Sequence, residues 1–163
     1  LYYSEMEILA RGLANLNIEV VYGGARVGLM GHLADRILQY QGRVVGVIPD
    51  YLNRPGIVHE GLSELHVVNN LLDRKRTMLL GTDAVIACPG GMGTNDEVTE
   101  VLALKQLGEF SCPVLFLDFL DCWHTLFDFF VELKERGMIS QELDELYISF
   151  SSSQDLLKYI MDQ

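Results

Sequence analysis

Two rhythms of apolar and polar positions take turns along this chain. Met6, Leu9, Ala10, Leu13 and Leu16 recur at helical spacing and predict a helix over residues 4–16. Ile18-Glu19-Val20-Val21-Tyr22, closed by Gly23-Gly24, then reads as a short strand. The exchange repeats. A helix begins around Gly28 and ends near Gln41-Gly42, and Val44–Ile48 is a strand stopped by Pro49. Leu65–Val68 is a strand, 70–80 a helix, 84–88 a strand and 94–108 a helix. Pro113–Leu117 is a strand, and 123–136 a helix carrying Trp123, Leu126, Phe127, Phe130 and Leu133. Tyr147–Phe150 and residues 153–161 close the chain as strand and helix. Residues 49–63 hold Pro49, Pro55, Gly56 and Gly61 without a period, and read as a long functional loop or lid.

Strands alternating with helices imply a doubly wound, Rossmann-like α/β fold, a parallel sheet flanked by helices. Nothing repeats and no linker intervenes, so residues 1–163 read as one nucleotide-binding domain. The chain opens at Leu1 directly into a helical pattern, and the expectation is that a first strand ahead of it is missing. Ligands of such sheets bind beyond the C-terminal strand ends. Gly23-Gly24, Pro49 and Pro89-Gly90-Gly91 all follow strands, which predicts two glycine turns and a mobile loop around one crevice.

Composition narrows the function. A net charge of −11 argues against nonspecific nucleic-acid or anionic-membrane binding, which require a basic face. Any phosphate must be held by local N–H groups and a few cations. No apolar run reaches the roughly 18–20 residues that cross a bilayer, and no signal peptide is visible, so the expected location is cytoplasmic. Cys88, Cys112 and Cys122 form no CxxC pair and read as reduced, buried thiols. His32, His59, His66 and His124 lack metal-ligand spacing and read as structural or surface residues, and no metal or cofactor is expected.

The densest chemistry is Pro89-Gly90-Gly91-Met92-Gly93-Thr94-Asn95-Asp96-Glu97, between strand 84–88 and helix 94–108. Gly90, Gly91 and Gly93 let backbone N–H groups approach an anion without a Cβ in the way, at the positive end of a helix dipole. Thr94-x-x-Glu97 also fits a capping box, in which Thr94 caps the helix and Glu97 reaches back. A capping box does not need three glycines. Glu97 and Glu100 lie three apart and share a face, while Asp96 points elsewhere. Asp73-Arg74-Lys75-Arg76 is a solvated basic cluster or an anion site. It sits where a helix begins, a place that disfavours cations unless an anion is near, and Arg74 could grip phosphate or ribose bidentately. Gly23-Gly24-Ala25-Arg26-Val27-Gly28-Leu29-Met30-Gly31 reads equally well as a dinucleotide loop or as close helix–strand packing. The aromatic run from Trp123 to Phe130 is most simply core.

In sum, Val21-Tyr22-Gly23-Gly24, Gly28-Leu29-Met30-Gly31, Gly46-Val47-Ile48-Pro49, Arg74-Lys75 with Met78, and Pro89-Gly90-Gly91-Met92-Gly93-Thr94 with Glu97 resemble the Lonely Guy family. These are cytokinin-activating phosphoribohydrolases, long mislabelled as lysine decarboxylases. The resemblance spans about residues 3–161. It implies hydrolysis of the N-glycosidic bond of a purine nucleoside 5′-monophosphate, with N6-modified adenosine as one candidate base. It implies Arg74 and Glu97 as the catalytic pair, and Gly23, Gly24, Met30, Lys75, Gly90, Gly91, Gly93, Thr94 and Glu100 as substrate-binding positions. It also implies a homodimer, with a nucleoside monophosphate as the small-molecule partner. The chain departs from the family pattern at Gly56, Leu71-Leu72, Asn95-Asp96 and Ala103-Leu104, which bears on the base released. The competing reading is a non-catalytic nucleotide- or molybdenum-cofactor-binding protein of the same fold. A lysine decarboxylase fails on chemistry, because no lysine sits in a recognisable Schiff-base site.

Overall fold

The computed structural model describes residues 1–163, which divide into two compact units, Leu1–Gly81 and Thr82–Gln163. In the first unit, α1 (Tyr2–Asn15) turns Met6, Leu9, Ala10 and Leu13 inward, and they are essentially inaccessible. It packs on α2 (Gly28–Gln39), which buries Gly31, Ala34 and Ile37. Two polar contacts from Glu7 fix that pairing: Tyr40 Oη donates to Oε1 at 2.5 Å, and Arg36 Nε lies 2.9 Å from Oε2. Strands β1 (Val20–Tyr22), β2 (Val44–Pro49) and β3 (Glu64–Val68) run parallel in that order, with Val20 opposite Val44 and Val45 opposite Glu64. Helix α3 (Leu71–Leu79) follows β3.

The second unit repeats the plan. Strands β4 (Val85–Ala87), β5 (Val114–Leu117) and β6 (Ile148–Phe150) are parallel in that order, with α4 (Met92–Gln106) after β4 and α5 (His124–Glu135) after β5. A short α6 (Leu143–Leu146) precedes β6, and α7 (Ser153–Met161) ends the chain. Phe116 centres an aromatic core: Trp123, Phe127 and Tyr147 meet it edge-on at 5.1–5.2 Å between ring centroids.

Each sheet has a fully buried middle strand, β2 and β5, which explains their unbroken apolar sequences. Each buried Val, Ile, Leu or Phe there contributes about 1.5–3 kcal/mol by leaving water. Parallel sheets flanked by helices are the expected α/β class, and every predicted strand and long helix is present. No helix is long and apolar enough to cross a membrane.

Three local expectations change. Helix α4 begins at Met92, not Thr94, because Gly91 supplies the extended N-cap (φ −102°, ψ −151°). Residues 49–63 contain a turn of 3₁₀ helix at Asp50–Leu52 and are stitched to the segment after β1, where Arg26 N–H donates to Ile57 O at 2.8 Å and His59 N–H to Gly24 O at 2.9 Å. The supposed lid is tied down. None of the three cysteines is fully buried: Cys122 is exposed and Cys88 and Cys112 are half-buried, although desolvation still pushes the Cys88 thiol up to about 12.

Candidate active site

The glycine turns at the ends of β1 and β4 are the same device put to opposite uses. After β1, Gly23 is buried because a side chain occupies the space over its backbone. A Cβ there would lie 1.5 Å from Arg74 Nη2 and 2.6 Å from Cζ. Glycine lets the guanidinium rest on the backbone itself; any larger residue would make the end of the Arg74 side chain move aside. Gly24 follows in the left-handed region (φ +72°), and a Cβ on the facing Gly46 would come within 2.9 Å of its Cα. Glycines at both positions let β1 and β2 approach closely. Gly31 is likewise required by packing, since a Cβ would fall 2.6 Å from the Arg26 carbonyl carbon. The geometry favours the packing explanation for Gly23, Gly24 and Gly31, whereas Gly28 has open space around it and a left-handed backbone (φ +57°).

Arg74 is the fourth residue of α3. The unfavourable dipole inferred for it is answered inside the helix. Asn70 is the N-cap: its Oδ1 accepts from Asp73 N at 2.9 Å, and its Nδ2 donates to Asp73 Oδ2 at 3.0 Å. Asp73 therefore places a carboxylate in the first turn, where the dipole welcomes it. Arg74 and Lys75 are half-buried and Arg76 is exposed; Met30 of α2 is 44% exposed.

The turn after β4 is open. No atom lies within 4 Å of where a Cβ on Gly91 or Gly93 would sit. Gly90 differs, because a Cβ on it would be 2.1 Å from Thr94 Oγ1, so the threonine hydroxyl folds onto the turn. Thr94 is the third helical residue and no side chain caps α4, which removes the capping-box reading. An uncapped first turn backed by open glycines offers N–H donors to an external acceptor. Thr94, Glu97 and Glu100 follow at three-residue intervals on one face, the two glutamates half-buried and Asp96 exposed. Asn95 braces the turn through its Nδ2, which donates to Gly91 O at 3.1 Å.

Beside this turn lies a cleft of about 370 Å³ walled by Gly90, Asn95, Cys122, Trp123, Leu126 and Phe129. Helical spacing assigned Trp123 to the core. It is 4% exposed, and it also forms a wall of the cleft. Its position is set by Asp118, whose Oδ1 accepts from Trp123 N at 2.7 Å, across a turn in which Leu120 and Asp121 are left-handed. That irregular turn carried no sequence signal. No group of three or more His, Cys, Asp or Glu side chains converges to hold a metal. Arg74 belongs to the first unit and Glu97 to the second.

Fold and turns together define a parallel α/β protein with an open, glycine-lined helix N-terminus at a strand end. A family model described as "Possible lysine decarboxylase" matches residues 30–160. A cytokinin riboside 5′-monophosphate phosphoribohydrolase from Rhodococcoides fascians is 42% identical over 135 residues, covering 82% of this chain and 68% of that protein. An Arabidopsis thaliana protein of the same name is 35% identical over 154 residues, covering 94% of this chain and 72% of its own. Among solved structures, a molybdenum cofactor binding protein from Rippkaea orientalis superposes with a TM-score of 0.73 at 22% identity, over 99% of this chain and 86% of that one. The molybdenum cofactor carrier protein of Chlamydomonas reinhardtii gives 0.72 at 19%, over 99% and 86%. At those identities the structures speak for the fold alone. The chain belongs to the Lonely Guy family of phosphoribohydrolases.

Proposed function

We propose that this protein hydrolyses a purine nucleoside 5′-monophosphate to free base and ribose 5-phosphate. The open glycine turn at the uncapped start of α4, with Thr94 and Glu97 on one helix face, is the observation that carries the reading. The N–H groups of Gly91 to Thr94 and the Thr94 hydroxyl grip the 5′-phosphate. That grip is remote from the reacting carbon and supplies positioning energy.

In the reaction, the C1′–N bond breaks with its electron pair leaving on the base, and the ribose passes through an oxocarbenium-like state. Water adds to C1′ and loses a proton as the base gains one. Glu97 stabilises the developing cation and orients the water. Arg74 binds substrate oxygens or balances the charge on the leaving base. Gly23, the floor beneath Arg74, and Gly24 beside it border the substrate, Lys75 adds a second cation, and Met30 and Glu100 contribute contacts to the substrate. The two relatives described above are named for cytokinin riboside 5′-monophosphates, and this supports an N6-modified adenine as one base to be released. The active form is a cytoplasmic homodimer.

The decarboxylase wording of the family model finds little support in the lysines. Lys105 Nζ donates to Cys112 O at 3.2 Å, and Lys134 Nζ to Ser140 O and Gln141 O at 3.1 and 2.9 Å. Lys75 sits in a basic helical run and Lys158 is exposed near the end of α7. The test is incubation with a panel of nucleoside monophosphates, the matching nucleosides and lysine, with products separated by chromatography. Free base from a monophosphate, none from its nucleoside and no amine from lysine is the expected pattern. Release of base from nucleosides at equal rate would remove the phosphate-gripping role of the turn.

A further inference from the structure

His59 is 4% exposed, and both of its ring nitrogens are engaged. Gly61 N–H donates to Nδ1 at 3.1 Å, so Nδ1 is the acceptor; Nε2 then carries the proton and gives it to Asp35 Oδ1 at 3.1 Å. Asp35, on α2, is shared: Arg26 Nη2 lies 3.2 Å from the same Oδ1. A buried polar ring with both nitrogens satisfied is held in one orientation, because losing either bond leaves a buried group unpaired.

What the ring holds is the segment that borders the Gly23-Gly24 turn. The main chain of His59 donates to Gly24 O, Arg26 N–H donates to Ile57 O, and Ala25 pairs with Val58 in an antiparallel bridge. Three consecutive residues after Gly23 are thus zipped to residues 57–59. The Arg74 guanidinium lies directly against the backbone of Gly23, the residue before this zipped segment. A shift of the turn of a few tenths of an ångström moves the surface on which that guanidinium rests.

We propose that His59 is a positioning residue for Arg74: by clamping residues 57–61 to Asp35 and to the strand-end turn, it fixes the floor that holds the guanidinium in place. The inference rests on the reading of Arg74 as a catalytic group. It assigns His59 a function at a distance from the reacting bond, where the lack of metal-ligand spacing left it as a structural or surface residue.

The experiment compares wild type with His59→Phe, which fills the volume but neither accepts nor donates, and with His59→Asn, whose Oδ1 replaces the Nδ1 acceptor toward Gly61. Each is assayed for kcat and KM on a monophosphate that wild type hydrolyses, and for amide hydrogen exchange at Arg26 and His59. His59→Phe should lower kcat about 10–100-fold with KM within a few-fold, because a misplaced transition-state group costs rate more than binding. Exchange at both amides should quicken, and His59→Asn should recover part of each loss. Should His59→Phe fail to fold, Asp35→Ala removes the Nε2 acceptor from α2 and should lower kcat in the same direction by less. A folded variant with wild-type kcat, or a fall in kcat with unchanged exchange, overturns the proposal. Absence of base release by wild type defeats the functional reading itself, and this inference with it.

Discussion

The two units solve one problem in contrary ways. Each ends an early strand in consecutive glycines, Gly23-Gly24 after β1 and Gly90-Gly91 after β4. In the first, the space a side chain would fill is taken by the Arg74 guanidinium. In the second, the space over Gly91 and Gly93 is empty and leads to an uncapped helix start. Glycine in one place makes room for a cation of the chain; in the other it leaves the backbone open. A glycine motif read alone does not distinguish these uses, because only the neighbours reveal whether the room is occupied.

The strongest way to break the comparison is to remove the chemistry from each unit in turn. Arg74→Ala and Glu97→Gln should each lower base release about a thousandfold or more, the range for deleting a group that acts in the transition state. Circular dichroism should report an unchanged fold. Full activity in either variant would show that the corresponding unit does not carry the reaction.

A subtler pair of variants tests the occupied and the open turn directly. Gly23→Ala drives a methyl group into the end of the flexible Arg74 side chain, which must move aside; stability should change by less than about 1 kcal/mol while kcat falls about 100-fold. Gly91→Ala meets no atom of the chain and its backbone is ordinary, so stability should change by less than about 1 kcal/mol. Its methyl group instead obstructs the phosphate, and KM should rise about tenfold, some 1.4 kcal/mol of lost binding. If both substitutions affect the same kinetic constant, the contrast between the turns is wrong.

The smallest effect is an alkaline one, and here the units behave alike. Tyr22, at the end of β1, has its phenol raised above the usual 10, first by burial and then by Asp35. Cys88, just past β4, is raised from 9 to about 12, mainly by burial. A raised acid stays protonated in the fold when the unfolded chain has already ionised, so stability is constant below the unfolded value and declines above it. Thermal denaturation should therefore show Tm falling as pH rises from about 9 toward 12. Cys88→Ala should lessen the early fall, which Cys122, raised from 9 to about 11 mainly by burial, shares, and Tyr22→Phe should reduce the fall that begins near 10. A Tm indifferent to either replacement would show that neither group resists ionisation.

Much of this architecture was readable from spacing. The runs at Val44–Ile48 and Val114–Leu117 announce strands buried on both faces, and Leu9, Ala10 and Leu13 announce the inner face of α1, because burial is a local constraint repeated with the period of the element. The glycine turn, with Thr94 and Glu97 following it into a helix, was legible because the residue types and their order mark a candidate anion site. The start of α4 was not, since glycines at a helix entrance defeat propensity and only an N-cap dihedral places the boundary. Nor was the Asn70–Asp73 cap, hidden among the basic residues that follow it.

What only the folded chain decided are the encounters between residues far apart in sequence. Arg74 over Gly23 spans about fifty positions, and His59 against Asp35 and Gly24 spans twenty-four and thirty-five. Periodicity says which face of an element is inward, but strand order and register determine which side chain waits there. The sequence by itself determined that this protein alternates strands and helices and carries a glycine cradle with an acid behind it. Tertiary packing decided which glycine turn was filled and which was left open, because that depends on where distant atoms come to rest.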